Sequence, residues 1–355
     1  MPTINTFGSA TARAFGFEGK VSQFLFTTPS SLSGYSFEPM AIAYSNNIFV
    51  AVGADSNSYP TYSVSSNNGS SWTGSTNISS SIGYLTSVVG NGSEFVAVGY
   101  DNSSNAIFTY TLNSGGTWVS PSYFGNPTPT AYPAIMTGIT VNNNNLFVSV
   151  GYSTTGIPVA SYAQQGSLPS SPVPMGGSSA VAYMVSVTFG NNLFVSVGRN
   201  SSNYPVYATS SDGETWSIPA IMNGSNSVAY MSSVAYGAGK FVAVGHDSNN
   251  YPLYATSADG VTWTTPALMN SSASVAPIFS ITYASSSNLF VAVGSYTYPV
   301  YAISNDGIHW TTPAPMNGDT TPNSMLAVAT TSTAVAVSVG YTSGGFPIYA
   351  VGSQK

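Results

Sequence analysis

The run Phe-Val-Ala-Val-Gly and its near copies recur along this chain, and no other feature constrains the fold as strongly. The run starts at Phe49, Phe95, Phe147, Phe194, Phe241, Phe290 and, in degraded form, Ala336, at spacings of 46 to 52 residues. Its third position is always small (Ala51, Ala97, Ser149, Ser196, Ala243, Ala292, Ser338). Its fifth is always glycine (Gly53, Gly99, Gly151, Gly198, Gly245, Gly294, Gly340). Self-similarity at such a period marks a repeat architecture, in which each unit buries its apolar surface only against its neighbours.

Each unit reads as four short strands. In the fifth these are residues 232–236, 241–244, 253–257 and 261–265, rich in Val, Tyr, Thr and Phe and bounded by Gly, Asn, Ser and Pro. No segment carries a convincing helical period. The Phe-Val-Ala-Val strand is apolar almost throughout, which suits a strand covered on both faces. Seven four-stranded sheets packed face to face around an axis achieve that cover. The expected fold is therefore all-β: a seven-bladed β-propeller of four-stranded antiparallel blades. The length alone would suggest two domains, but blades are not independent domains.

The seventh unit stops after its third strand, with only residues 352–355 left. Residues 23–29 align with the Trp-bearing segment of the fifth unit, with Phe26 where Trp263 stands. They are expected to form the outer strand of the last blade, closing the ring and removing an open edge. The domain division that follows is an arm at residues 1–20 and a propeller at 21–355. Units four to six are close copies. In units one and two the Asp-Gly turn becomes Asn68-Gly69 and Ser114-Gly115-Gly116. Unit three replaces the turn and lacks a Trp. Blade 3 is expected to be the least regular, with Leu168 in the Trp site.

The turns that hold Asp212, Asp259 and Asp306, each followed by Gly and then by Trp216, Trp263 and Trp310, resemble the Asp-box turn of sialidase-like propellers, one residue shorter. The same units are similar to bacterial propeller repeats of unassigned role. The resemblance spans the chain from about residue 39 and implies the propeller fold without implying a chemistry. The turn has a structural rationale: the aspartate accepts backbone N–H bonds, glycine supplies the positive φ, and the Trp packs between blades. Residues 7–17, which alternate small and aromatic residues around Arg13, resemble short segments in structural proteins of phages and large viruses. That resemblance implies a tether to other structural proteins; an ordered arm without a partner is the alternative.

Charge removes several functions. Five lysines and arginines face eleven acids, for a net charge of −6. Nucleic-acid binding needs a basic footprint that this chain lacks, and attraction to an anionic membrane is disfavoured too. There is no cysteine, hence no disulfide or thiolate site. No run is long enough for a membrane-inserted helix, and the start of the chain has no recognisable signal peptide. A surface built on Ser, Thr, Asn and Tyr suits an extracellular or virion-surface setting.

A propeller's 1–2 and 3–4 turns lie on one face and its 2–3 and 4–1 loops on the other. The second set is longer and more variable here, and function on a repeated scaffold gathers on loops. That face is expected to carry Tyr59, Tyr204, Tyr251, Tyr298 and Phe346, each followed by Pro. Aromatic rings beside amides and hydroxyls suit glycans, because a ring stacks on the apolar face of a pyranose. Packing at the strand entrance is the competing role for these tyrosines. Asp55, Asp101 and Asp247 follow the core glycine in three units and belong to the same face.

Parts for catalysis are scarce. Sialidase-type chemistry grips a carboxylate with three arginines, and this chain has Arg13 and Arg199 alone. Other glycosidases need two carboxylates across a cleft, and the loop acids sit in separate units. His246 and His309 are the only histidines, in contexts that suggest neither a triad nor a metal site. No cofactor is implied. The expectation is a non-catalytic binding or structural protein, active in carbohydrate binding or adhesion. A glycosidase or polysaccharide lyase using loop-face carboxylates, or an assembly protein docked through residues 1–20, are the alternatives.

Overall fold

The computed structural model describes residues 24–32, 37–92, 94–111, 113–125, 133–177, 179–224, 227–271, 275–331 and 335–354; the arm expected at 1–20 lies outside the described residues. Seven antiparallel sheets form among them. Their innermost strands are Phe37–Ser45, Tyr84–Asn91, Ala134–Val141, Ala182–Gly190, Ala229–Gly237, Ile278–Ala284 and Asn323–Thr330, which number blades 1 to 7. Each blade is a meander from the axis outward. The fold is a seven-bladed propeller, as the repeat demanded.

The second strand holds the core. Phe49, Val50, Ala51 and Val52 in blade 1, and Phe241 to Val244 in blade 5, are completely buried. The apolar clusters all straddle adjacent blades, so a blade has little core of its own. The invariant fifth-position glycine has a geometric cause. In every blade the innermost strand carries a bulge opposite it. A Cβ on Gly99 would lie 1.7 Å from the Tyr84 carbonyl oxygen, and one on Gly245 1.8 Å from that of Tyr230. Only glycine tolerates that approach.

The fourth strand is shorter than the pattern suggested. It comprises two residues, as in Ala220–Ile221, Ala267–Leu268 and Ala314–Pro315, and the Trp precedes it instead of lying in it. The Trp sits in a turn whose aspartate organises the backbone. Asp259 Oδ1 accepts the N–H groups of Val261 (2.9 Å) and Thr262 (2.7 Å) and the Ser257 hydroxyl. The indole N–H of Trp263 donates to the Gly260 carbonyl at 3.0 Å. Trp216 and Trp310 repeat the bond to Gly213 and Gly307. In blades 1 and 2 the aspartate's part is played by Asn67 and Asn113, one residue before the positions that alignment to Asn68 and Ser114 suggests.

These bonds make the turn acid-sensitive. The N–H groups of Thr262 and Val261, with the hydroxyls of Thr262 and Ser257, hold the Asp259 carboxyl below its usual range. At Asp306 burial opposes ionisation, but the backbone and ring of His309 and the N–H of Ile308 outweigh it and lower the pKa. A carboxyl whose folded pKa lies below its unfolded value of about 3.9 stabilises the fold above that value. The contribution is lost as pH falls through and below it. The variant Asp259→Asn with Asp306→Asn should therefore unfold at lower urea than wild type at pH 7, with the gap narrowing at pH 3. An equal gap at both pH values would sink this account.

Each Trp is the peg that joins its blade to the one before. Trp118 packs on Tyr62, Trp263 on Tyr207, Trp310 on Tyr254 and Trp72 on Tyr349, with ring centroids 5.7 to 6.3 Å apart. Trp216 lies in the cluster that includes Tyr162. Phe26 takes this role in blade 7. It is 2% exposed, it packs on Tyr301 at 5.1 Å, and its strand Phe24–Phe26 pairs with Pro347–Gln354. Ser30–Ser31 then pairs with the same strand as the usual two-residue outer strand. A further bond locks the closure: Asn317 donates to the Thr28 hydroxyl, as Asn223 does to Thr265 and Asn270 to Thr312.

Leu168 does not occupy the Trp site of blade 3; it is 56% exposed. The hydrogen-bond register puts Pro169 there. The residue after each Trp donates its N–H to the third strand, as Ser217 does to Thr209 and Thr264 to Thr256; in blade 3 the donor is Ser170, to Tyr162. A one-residue shift exchanges the inward and outward side chains, and the turn's change in sequence concealed that shift.

Candidate functional site

The 2–3 loops of blades 1 to 5 share one construction. A residue at the end of the second strand accepts two loop N–H groups through its side chain and bends the chain into the entrance of the third, which is Tyr-Pro in blades 1, 4 and 5. Asp55 holds Asn57 and Tyr59, Asp101 holds Ser103 and Asn105, and Asp247 holds Asn249 and Tyr251. Asn200 and Ser153 do the same in blades 4 and 3, so the turn needs an acceptor and not a charge. At Asp101 burial opposes ionisation, yet Asn105, Ser103 and the Tyr123 hydroxyl outweigh it and lower the pKa. The three acids stand in separate blades, each occupied by its own loop. Tyr59, Tyr204, Tyr251 and Tyr298 are half-buried at the strand entrances; Tyr298 packs against the blade 5–6 cluster. Phe346 is exposed.

The axis is a polar channel of about 240 Å³ lined by the innermost strands. Its serines tie neighbouring blades. Ser87, Ser186, Ser233 and Ser280 accept the N–H of Ile139, Val234, Ile281 and Val328 from the next blade. Thr137 donates across another seam to the Met184 carbonyl.

At the loop-face end of this channel lies a feature the sequence alone did not disclose. The residue after the core glycine pairs with the start of the innermost strand: Tyr100 with Tyr84, Arg199 with Tyr183, His246 with Tyr230. The rings meet within blades and across them. Tyr84 stacks on Tyr100 (5.3 Å), Tyr152 meets Tyr183 edge-on (5.0 Å), Tyr230 stacks on His246 (4.9 Å), and His246 meets Phe279 (6.4 Å). The Arg199 guanidinium lies over Tyr183 and Tyr230, 5.4 and 4.9 Å from their centroids, within cation–π range. Half-buried aromatic rings thus form an arc from blade 2 to blade 6 at the mouth, beside a cavity of about 410 Å³ bounded by Arg199 and Tyr230.

The fold has relatives of varied role. No known family profile matches this chain, and no curated protein does. Among solved structures it is similar to the BP39L lectin from Burkholderia pseudomallei, at 13% identity over 89% of this chain and 96% of that one, with a TM-score of 0.66. It is similar to YCF48 bound to D1 peptide, at 14% identity over 91% and 94%, with a TM-score of 0.63. The WD40 beta propeller domain of Doa1 matches at 12% identity over 94% and 97%, with a TM-score of 0.57. Such identities carry the fold alone. The chain is a propeller. These neighbours select no role and no ligand for it.

The mouth's electrostatics are simple. Burial lowers the His246 pKa, the Asp247 carbonyl and carboxylate offset part of this, and Arg199 adds to the lowering; the ring is neutral at neutral pH. Burial raises Tyr100, helped by Tyr152 and Tyr84, and raises Tyr152 despite Arg199. These hydroxyls remain protonated donors. Arg199 donates to the Asn203 amide oxygen, and among the described residues no carboxylate lies within ion-pair distance of it. The mouth offers rings, neutral donors and one fixed positive charge. No group of three or more His, Asp or Glu that could hold a metal occurs among the described residues, and no helix there is long and apolar enough to cross a membrane.

Proposed function

We propose that this protein is a non-catalytic binding protein that takes glycans at the loop-face mouth of its channel, in an extracellular or virion-surface setting. The observation that carries this reading is the aromatic arc from Tyr84 to Phe279, with Arg199 clamped between two tyrosines. Rings stack on sugar faces, hydroxyls and amides bond their polar edges, and the guanidinium suits an acidic substituent. Tyr59, Tyr204, Tyr251 and Tyr298 form an outer rim to the same face. The glycosidase or lyase alternative asks for two carboxylates flanking one cleft. Here Asp55, Asp101 and Asp247 are held singly, each by its own turn.

A glycan array separates these ideas. The intact protein should bind a defined sugar class. The mouth variant Tyr183→Ala with Tyr230→Ala should lose it while keeping the wild-type circular dichroism. The rim variant Tyr204→Ala, Tyr251→Ala and Tyr298→Ala should weaken it. Loss in the rim variant alone would move the site outward, and an array with no signal would reject the glycan reading.

A further inference from the structure

One seam of the ring is built differently from the others, by two departures from the repeat that face each other. Six clusters between blades contain a Trp or Phe26; the cluster between blades 2 and 3 contains neither. Pro169, at the Trp position, has no ring long enough to fill the space. On the facing wall, the residue before the core Phe is aliphatic in blades 1, 3, 4 and 6 (Ile48, Leu146, Leu193 and Leu289) and is Lys240 in blade 5; Leu146, Leu193 and the stem of Lys240 abut the turn glycine of the next blade. In blade 2 it is Glu94. The turn glycines report the gap. A Cβ on Gly213 would meet Val148 at 2.6 Å and one on Gly260 would meet Leu193 at 2.7 Å, whereas one on Gly166 would meet nothing within 4 Å.

The result is a cavity of about 70 Å³ lined by Val96, Val98, Phe108, Phe124, Ile139 and Phe147, open to solvent beside Gly166 and Leu168. Glu94 stands in its wall. It is 4% exposed, and its Oε2 is fully buried with no hydrogen-bond partner. Gln165 serves the carboxylate from the turn, but burial dominates and raises the pKa. An unpartnered buried acceptor is costly and marks a place where a partner is missing. Among the described residues no cationic group lies within ion-pair distance of Glu94, and a mostly apolar wall does not suit water alone.

We propose that the blade 2–3 seam is a binding socket for a flat aromatic ring carrying an N–H donor. The ring takes the place that Trp fills at other seams, and its donor bonds Glu94 Oε2. The socket lies at the 3–4 turns, separate from the channel mouth, so it stands or falls independently of the glycan reading.

Calorimetric titration with indole, and with benzofuran as its isostere lacking the N–H, tests it. Indole should bind saturably, about tenfold more tightly than benzofuran, the size of one hydrogen bond. Glu94→Leu, the residue found there in blades 3, 4 and 6, should erase that preference. Pro169→Trp should fill the socket, raise the melting temperature and abolish indole binding. Nuclear magnetic resonance should place the shifts at Val96, Phe108 and Phe147. The tripeptide Gly-Trp-Gly distinguishes the natural source: binding as tight as that of indole assigns the socket to a partner's side chain, and exclusion assigns it to a free small molecule. Absence of saturable binding by indole and the tripeptide, or indole binding unchanged in Pro169→Trp, overturns the proposal.

Discussion

Trp263→Ala is expected to lower the free energy of unfolding by about 3–5 kcal/mol. The indole is 3% exposed, packs on Tyr207 of the blade before it, and lies in the cluster that joins Val195 and Val197 of that blade to Phe241 of its own. Truncation removes that apolar contact and leaves a cavity that a rigid pair of sheets cannot close. It also strands the Gly260 carbonyl that the indole N–H serves. Because blades share their cores, the loss acts on two blades at once. Leu168→Ala, at the seam that never had a Trp, is expected to change stability by no more than about 0.5 kcal/mol, since its side chain is largely solvated. Urea titrations followed by circular dichroism measure both. A cost below about 1 kcal/mol for Trp263→Ala would show that the turn, and not the peg, holds the seam.

Deletion of residues 1–32 should abolish cooperative folding of the monomer. It removes Phe24–Phe26 and Ser30–Ser31 from the strand Pro347–Gln354, leaving that strand as an exposed edge. Phe26 leaves the seam with blade 6, and Leu32 leaves the seam with blade 1. The exposed edge and the opened core are a template for association, so the truncated chain should aggregate in size-exclusion chromatography. A circular permutant that begins at residue 33 and carries residues 21–32 after Lys355 on a short glycine linker should melt close to wild type. It restores the same strand by a local connection, because Phe24 already lies opposite Gln354. A deletion protein that melted like the intact chain would mean that the ring is held without its closing strand.

The legible part of this molecule was the part that repeats. A small third residue and a glycine fifth residue recur because each blade meets the same neighbour and the same bulge, so local requirements write themselves into the chain seven times. Phe26 could be aligned to the Trp position because its blade, though split between the chain ends, obeys the same template. The Asp-Gly turns were legible for the same reason: their hydrogen bonds span three residues.

What the tertiary structure decided lies between blades or turns on register. Pro169 and Leu168 are adjacent in sequence, and only the Ser170 to Tyr162 bond tells which one faces the seam. Arg199 meets Tyr230, and His246 meets Phe279, because neighbouring blades bring together residues more than thirty positions apart. Glu94 gains its place only from the fold, which sets it opposite a turn without a Trp. The chain's own pattern determined that seven sheets would close into a ring, since each apolar face needs another. Which departures from the pattern come to face one another was settled by packing around the axis, where neighbours in space are a whole repeat apart in sequence.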